Sequence, residues 1–160
     1  MAMPVIVNLM AFQVGWFTCV LGGSRAGGIV VALILAGHWR WLARPGEWRW
    51  LVGFAGLGFA VETALTLGGG YDFGTPPRVL PPAWLWLLWP LFATLLHHGL
   101  AWLWHRPWLA IGGGALGGTT SYAVGARLAD VELAVWMLPV QAVLWGALCG
   151  WLCRRLGTQR

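Results

Sequence analysis

Glu62 is costly where it stands, because the apolar run from Gly53 to Leu67 holds no other ionisable side chain. A charged group at the centre of a helix in lipid costs about 2.5–3.5 kcal/mol on insertion scales, so this carboxyl needs a partner or a proton. An imidazole within reach would complete an acid–base pair. His97 and His98 are adjacent, and on a helix they point about 100° apart, so only one is expected to face inward. His98 is the better candidate, since Thr94 and Trp102 share its helical face. Glu62 and His98 are therefore the catalytic candidates if the chain performs chemistry. Nucleophilic catalysis has little support, because Ser121 and Thr119-Thr120 lack a Gly-x-Ser-x-Gly setting, and Cys149 and Cys153 lack a neighbouring base. The sequence has no His-x-x-x-His, His-x-x-Glu-His or Cys-x-x-Cys spacing, and neither a metal nor another cofactor is expected.

The elements that must carry these residues follow from composition. Of 160 residues, 59% are hydrophobic and 9% charged, with a mean hydropathy of +0.70. A domain of this length cannot hide that much apolar surface from water, and a bilayer is its expected solvent. At about 20 residues per span, six spans take about 120 and leave about 40 for turns and tails. That excludes a cytoplasmic enzyme, a nucleic-acid-binding module and a secreted disulfide scaffold. Apolar runs bounded by Arg, Pro and Gly clusters fall at 4–23, 27–43, 50–69, 83–104, 108–128 and 131–153. The fold class expected is all-α: a polytopic transmembrane bundle of six spans in a single domain, 1–160. The second run is short, so five spans is the alternative.

The formal charge of +5 comes from ten arginines and no lysine against five acids. No basic stripe follows a phosphate backbone, and nucleic acid is not an expected partner. Arg40, Arg44, Arg49, Arg106, Arg154, Arg155 and Arg160 fall on the side of the termini, against Arg25, Arg78 and Arg127 on the other. Both termini should then be cytoplasmic, in a multi-pass protein of the bacterial inner membrane. The first run has no basic stretch before it and no cleavage or lipoprotein signal, so it is expected to remain as a helix. Cys19 lies near the end of the bundle opposite Cys149 and Cys153, which argues against a disulfide between them. Many of the 14 tryptophans sit at the cytoplasmic ends of the runs. Trp39-Arg40-Trp41 and Trp48-Arg49-Trp50 form an aromatic belt with snorkelling arginines, and could contact anionic lipid headgroups.

Counting about 1.5 Å per residue from the cytoplasmic ends puts Glu62, Gln141 and Thr94 about 18–19 Å deep and Ser121 and Tyr122 about 20 Å. Gln13, His97 and His98 come out at about 12–14 Å. The expected site is thus a polar pocket near the midplane, lined by Gln13, Glu62, Thr94, His98, Tyr122 and Gln141. A structural hydrogen-bond network would use the same residues. Asn8 is expected to hydrogen-bond between helices. The Gly113/Gly117, Gly114/Gly118 and Gly146/Gly150 pairs suit close helix packing within the bundle rather than a dimer seam. Pro90 and Pro139 should kink their spans.

Three strings carry a family resemblance: Phe12-Gln13-x-Gly15-Trp16-Phe17-x-Cys19-Val20-x-Gly22; Leu91-Phe92-Ala93-Thr94 with His98-x-Leu100-x-Trp102-Leu103; and Gly118 with Tyr122 and Gly125. Across nearly the whole chain the sequence resembles a bacterial domain of unknown function, serial number twenty-eight seventy-eight. The resemblance implies a small inner-membrane protein with no established activity. It also implies a setting beside fatty-acyl methyltransferases and flavin oxidoreductases, and hence lipid modification. In that family an Asp is more usual at the position of Glu62, which keeps the carboxyl, and an Asn at that of His97, which favours His98.

The function expected is binding of a lipid or other hydrophobic small molecule in the pocket, as an accessory to lipid modification. Membrane lipids, and a membrane or peripheral lipid-modifying enzyme, are the expected partners. A small carrier or substrate-binding component of a transporter is one alternative, and a structural protein that stabilises a partner is another. No inverted pair of broken helices is evident, which counts against a secondary transporter.

Overall fold

The computed structural model describes residues 2–74 and 78–157, and every element in them is helical apart from one pair of two-residue strands. The helices are α1 (Ala2–Trp41), α2 (Trp48–Leu67), α3 (Ala83–Ala93), α4 (Pro107–Leu128) and α5 (Met137–Leu156), with a 3₁₀ turn at Leu103–His105. Three stretches among the described residues are long and apolar enough to cross a membrane: Met3–Trp41, Trp48–Leu67 and Met137–Leu156. The expected six helices are thus five, which fits the five-span alternative. The chain divides into two compact units, one of Met1–Gly69 with Thr75–Gly99 and one of Gly70–Gly74 with Leu100–Arg160.

In the first unit, α1 covers both of the first two expected runs. Its helical geometry is interrupted only at Gly23, with φ 66° and ψ −163°. Glycine reaches that left-handed φ without the steric cost another residue would meet. The consequence is visible in packing. A Cβ added to Gly27 would lie 2.9 Å from the Cα of Cys19, and one on Gly15 would lie 3.0 Å from Cδ1 of Ile34. In a straight helix those pairs would be about 12 and 28 Å apart at 1.5 Å per residue. Gly23 therefore folds the chain back, and the two arms of α1 close on a core of Cys19, Val31 and Leu91 with Phe12, Ile34 and Leu35 against it. Helix α3 runs antiparallel to the first arm, from Trp84 beside Ser24 to Leu91 beside Gly15. Helix α2 packs on α3 from the other side, with Gly58 against the Trp89 indole and Phe54 against Trp89 and Phe92.

The fourth expected span, 83–104, is not one helix. Its α-helix ends at Ala93, and residues 94–99 continue as tight turns with Leu95 bonded to the Phe92 carbonyl at 2.9 Å and His98 to that of Leu95 at 3.1 Å. Two residues favour the break. Pro90 lacks the N–H that the Trp86 carbonyl would receive, and the Thr94 hydroxyl donates back to the Leu91 carbonyl at 2.7 Å. Asn8 spans the break. Its Nδ2 donates to the Thr94 carbonyl at 3.0 Å, and its Oδ1 accepts from the Gly99 N–H at 3.1 Å. One carboxamide, 2% exposed, thus satisfies a carbonyl and an amide on the two sides of a broken helix. Asn8 does make the contact between segments that its polarity suggested.

In the second unit α4 and α5 form the main contact. Gly114 meets Cys149 and the Trp145 carbonyl, Gly118 meets the Trp145 side chain, and Gly146 and Gly150 face Ile111. Those glycines let two backbones approach closely, while a Cβ on Gly113 or Gly117 would meet none of the described residues within 4 Å. Residues 131–136 do not join α5 as expected. β2 (Glu132–Leu133) pairs antiparallel with β1 (Tyr71–Asp72) in the register Tyr71 to Leu133, and Asp130 turns at φ 53° just before it. The described cysteines, Cys19, Cys149 and Cys153, are free and buried.

Replacing Asn8 by Ala leaves the Thr94 carbonyl and the Gly99 amide without this partner in a dry setting. Each is expected to cost about 1–3 kcal/mol. Thermal unfolding of the purified protein in detergent should fall clearly for Asn8→Ala, and an unchanged midpoint would contradict the bridge.

Candidate functional site

The most concentrated ionisable chemistry in the first unit lies where three segments meet: the end of α1, the start of α2 and the broken stretch after α3. His38 stands in the last turn of α1. The chain then turns through Ala43-Arg44-Pro45-Gly46, with Gly46 at φ 84°, and Glu47 occupies the N-cap position of α2. His98 comes from the turns that Asn8 stabilises. His38 Nε2 lies 3.1 Å from Glu47 Oε1, and His98 Nε2 lies 3.2 Å from the same carboxylate. The Arg44 backbone N–H donates to Glu47 Oε2 at 2.8 Å. The two imidazole rings stand edge to face, with centroids 5.1 Å apart. Side-chain exposure is 2% for His38, 1% for Glu47 and 9% for His98, so His98 is the member nearest the surface.

Burial alone would push the Glu47 carboxyl up. Hydrogen bonds from His38 and His98, the Arg44 N–H and the field of His98 together outweigh it and hold the carboxyl well below the usual range. Both imidazoles offer Nε2 to one carboxylate, while the buried Nδ1 of His38 has no hydrogen-bond partner among the described residues. One ring nitrogen of each histidine and one carboxylate oxygen of Glu47 lie within 4.8 Å of one another. Such a group can pass a proton between two bases through one carboxylate, orient a polar ligand, or bind a cation.

The residues expected to line a midplane pocket fall in both units, four in the first and two in the second. Gln13 is exposed on α1. Glu62 is fully buried and accepts from the Trp89 indole N–H at 2.9 Å. Thr94 serves the break described above. Tyr122 and Gln141 belong to the second unit, where Gln141 is buried and its amide nitrogen Nε2 donates to the Tyr71 hydroxyl at 3.5 Å. Of the two catalytic candidates, His98 enters the cluster and Glu62 is engaged elsewhere. His97 turns instead to the Trp50 ring, 5.9 Å away.

The Trp and Arg strings bracket the cluster in sequence. Trp39, Arg40, Trp41, Trp48 and Arg49 are exposed, and the Arg49 guanidinium sits 5.7 Å above the Trp48 ring. Trp50 is half-buried against Phe54 and His97. His38 and Glu47 were not singled out by sequence, because the first looked like the end of a span and the second like a turn acid. The available signal was their place: each directly precedes one of the two Trp-Arg-Trp strings.

Removing a partner from a buried, hydrogen-bonded pair typically costs about 3–5 kcal/mol. Glu47→Leu should therefore unfold in detergent at a much lower temperature than wild type, while Glu132→Ala, on the exposed β2, should match it. Equal midpoints for Glu47→Leu and wild type would show that the cluster is not formed.

The profile of a family described as a protein of unknown function (DUF2878) matches residues 5–151, and the chain belongs to that family. No curated protein and no solved structure matches it.

Proposed function

We propose that this family member is a multi-pass protein of the bacterial inner membrane that holds a lipid or other hydrophobic molecule at the Trp- and Arg-rich end of its first unit, as an accessory to lipid modification. The observation that carries the reading is the buried Glu47 carboxylate with imidazoles at 3.1 and 3.2 Å, set in the chain between two Trp-Arg-Trp strings of which only Trp50 is half-buried and the rest is exposed. Tryptophan favours the headgroup level of a bilayer, and arginine there attracts anionic headgroups. An amphiphile bound at this end would lay its chain along the exposed apolar faces and bring its polar head to Arg40, Arg49 and the His98 edge of the cluster. His38, Glu47 and His98 would then orient that head or move a proton on it. The site proposed is therefore nearer the interface than the midplane pocket expected from helix depth.

The proposed topology keeps both termini cytoplasmic. The five helices would then make six crossings, since the two arms of α1 would cross separately about the Gly23 turn, and α3 with its continuation would form a crossing whose break Asn8 bridges. Two facts support this in the first unit: Ser24 and Trp84 meet at one end, while His38, Glu47 and His98 meet at the other.

Two measurements test the proposal. A reporter active only in the periplasm should be silent when fused after residue 160 and active when inserted at Gly23. Activity after residue 160 would overturn the orientation. Whole-cell lipid mass spectra of a deletion strain should lack a modified acyl species that wild type restores and Glu47→Gln or His98→Ala does not. Identical spectra from all strains, with each variant present in the membrane, would overturn the lipid reading.

A further inference from the structure

We propose that His38, Glu47 and His98 bind a divalent transition-metal ion of the borderline class, zinc or ferrous iron, with at least one coordination position left for a ligand. The inference does not depend on the lipid reading, since it rests on the donor set alone. Two imidazole nitrogens and one carboxylate oxygen are a ligand combination that suits zinc and ferrous iron alike. All three side chains are nearly inaccessible, and their donor atoms converge within 4.8 Å.

Two of the three donor separations, those of each imidazole nitrogen from Glu47, suit a shared ion, and the third is within 4.8 Å. Donors about 2.0–2.1 Å from a metal stand about 2.8–3.0 Å apart at octahedral angles and about 3.3–3.4 Å apart at tetrahedral ones. The His38–Glu47 and His98–Glu47 separations are 3.1 and 3.2 Å. The backbone supplies the outer support that such ligands need. The Arg44 N–H fixes Glu47 Oε2 at 2.8 Å, which leaves Oε1, the oxygen 3.1 Å from His38, to coordinate in monodentate fashion.

The three ligands come from positions separated by 9 and 51 residues, the separations of His38 and His98 from Glu47. No short motif could announce them, and the expectation that no metal is held rested on short motifs. Three protein ligands leave an open position, as sites that act on a bound molecule do and closed structural sites do not. The 9% exposure of His98 marks the side from which a ligand would reach it.

The test uses the full chain, purified in detergent with any affinity tag removed, from cells supplied with zinc and iron. Elemental analysis should find about one equivalent of one of these metals per chain. His38→Ala, Glu47→Ala and His98→Ala should each lower occupancy about tenfold or more, and Glu132→Ala should not. Because a ligand variant could fail to fold, the wild type carries a second arm. After chelation, added cobalt(II) should produce visible ligand-field bands that saturate at one equivalent and disappear on adding zinc. Folded wild type that holds no metal and gives no cobalt bands overturns the proposal, as does metal retained undiminished by all three folded variants. A metal-loaded protein with an unchanged lipid profile would sustain this inference and remove the lipid reading; the reverse pattern would do the opposite.

Discussion

A polar group buried among apolar side chains needs a protein partner, because neither they nor lipid can hydrogen-bond it. That constraint explains the residues that pattern alone makes look misplaced. Asn8 is polar in an apolar helix because a broken helix beside it exposes a carbonyl and an amide. Trp89 aims its indole at Glu62 because a buried acid requires a donor. Glu47 tolerates burial because two imidazoles and a backbone amide surround it.

The helix break and the histidine cluster belong together. Had residues 83–104 formed one straight helix, His98 would have shared a face with Thr94, and the Thr94 carbonyl would have bonded the His98 amide. Instead Asn8 takes that carbonyl, and the turns that follow present the His98 ring to Glu47. A side chain near the start of α1 thus positions a ring that pairs with the start of α2. Gly23 is part of the same arrangement, since only a reversed α1 brings His38 to the end of the unit where His98 lies, while Asn8 reaches the turns that carry it.

The helical class and the location of the apolar runs could be read from sequence because they depend on composition and on Arg, Pro and Gly clusters. The breaks within runs could not, because they depend on tertiary partners. Leu91-Phe92-Ala93-Thr94-Leu95-Leu96 is as apolar as a helix needs, and nothing local says that Asn8, far away in the chain, will complete a break there. The same holds for the site. Glu62 drew notice by standing alone in a span, whereas Glu47 sits beside Pro45 and Gly46, where an acid is ordinary turn chemistry. His98 stands out by helical face, and it reaches Glu47 by a different geometry from the one that suggested it. The exposure of Trp39, Arg40, Trp41, Trp48 and Arg49 was legible because Trp beside Arg closes or opens an apolar run there.

The central claim is that His38, Glu47 and His98 form one coupled unit. Nitrogen resonance of protein labelled at histidine, in detergent micelles and with metal removed, tests it most directly. Glu47→Gln should move the Nε2 signals of both His38 and His98 and leave that of His105 in place. Signals from His38 and His98 that do not respond to Glu47→Gln would contradict the account.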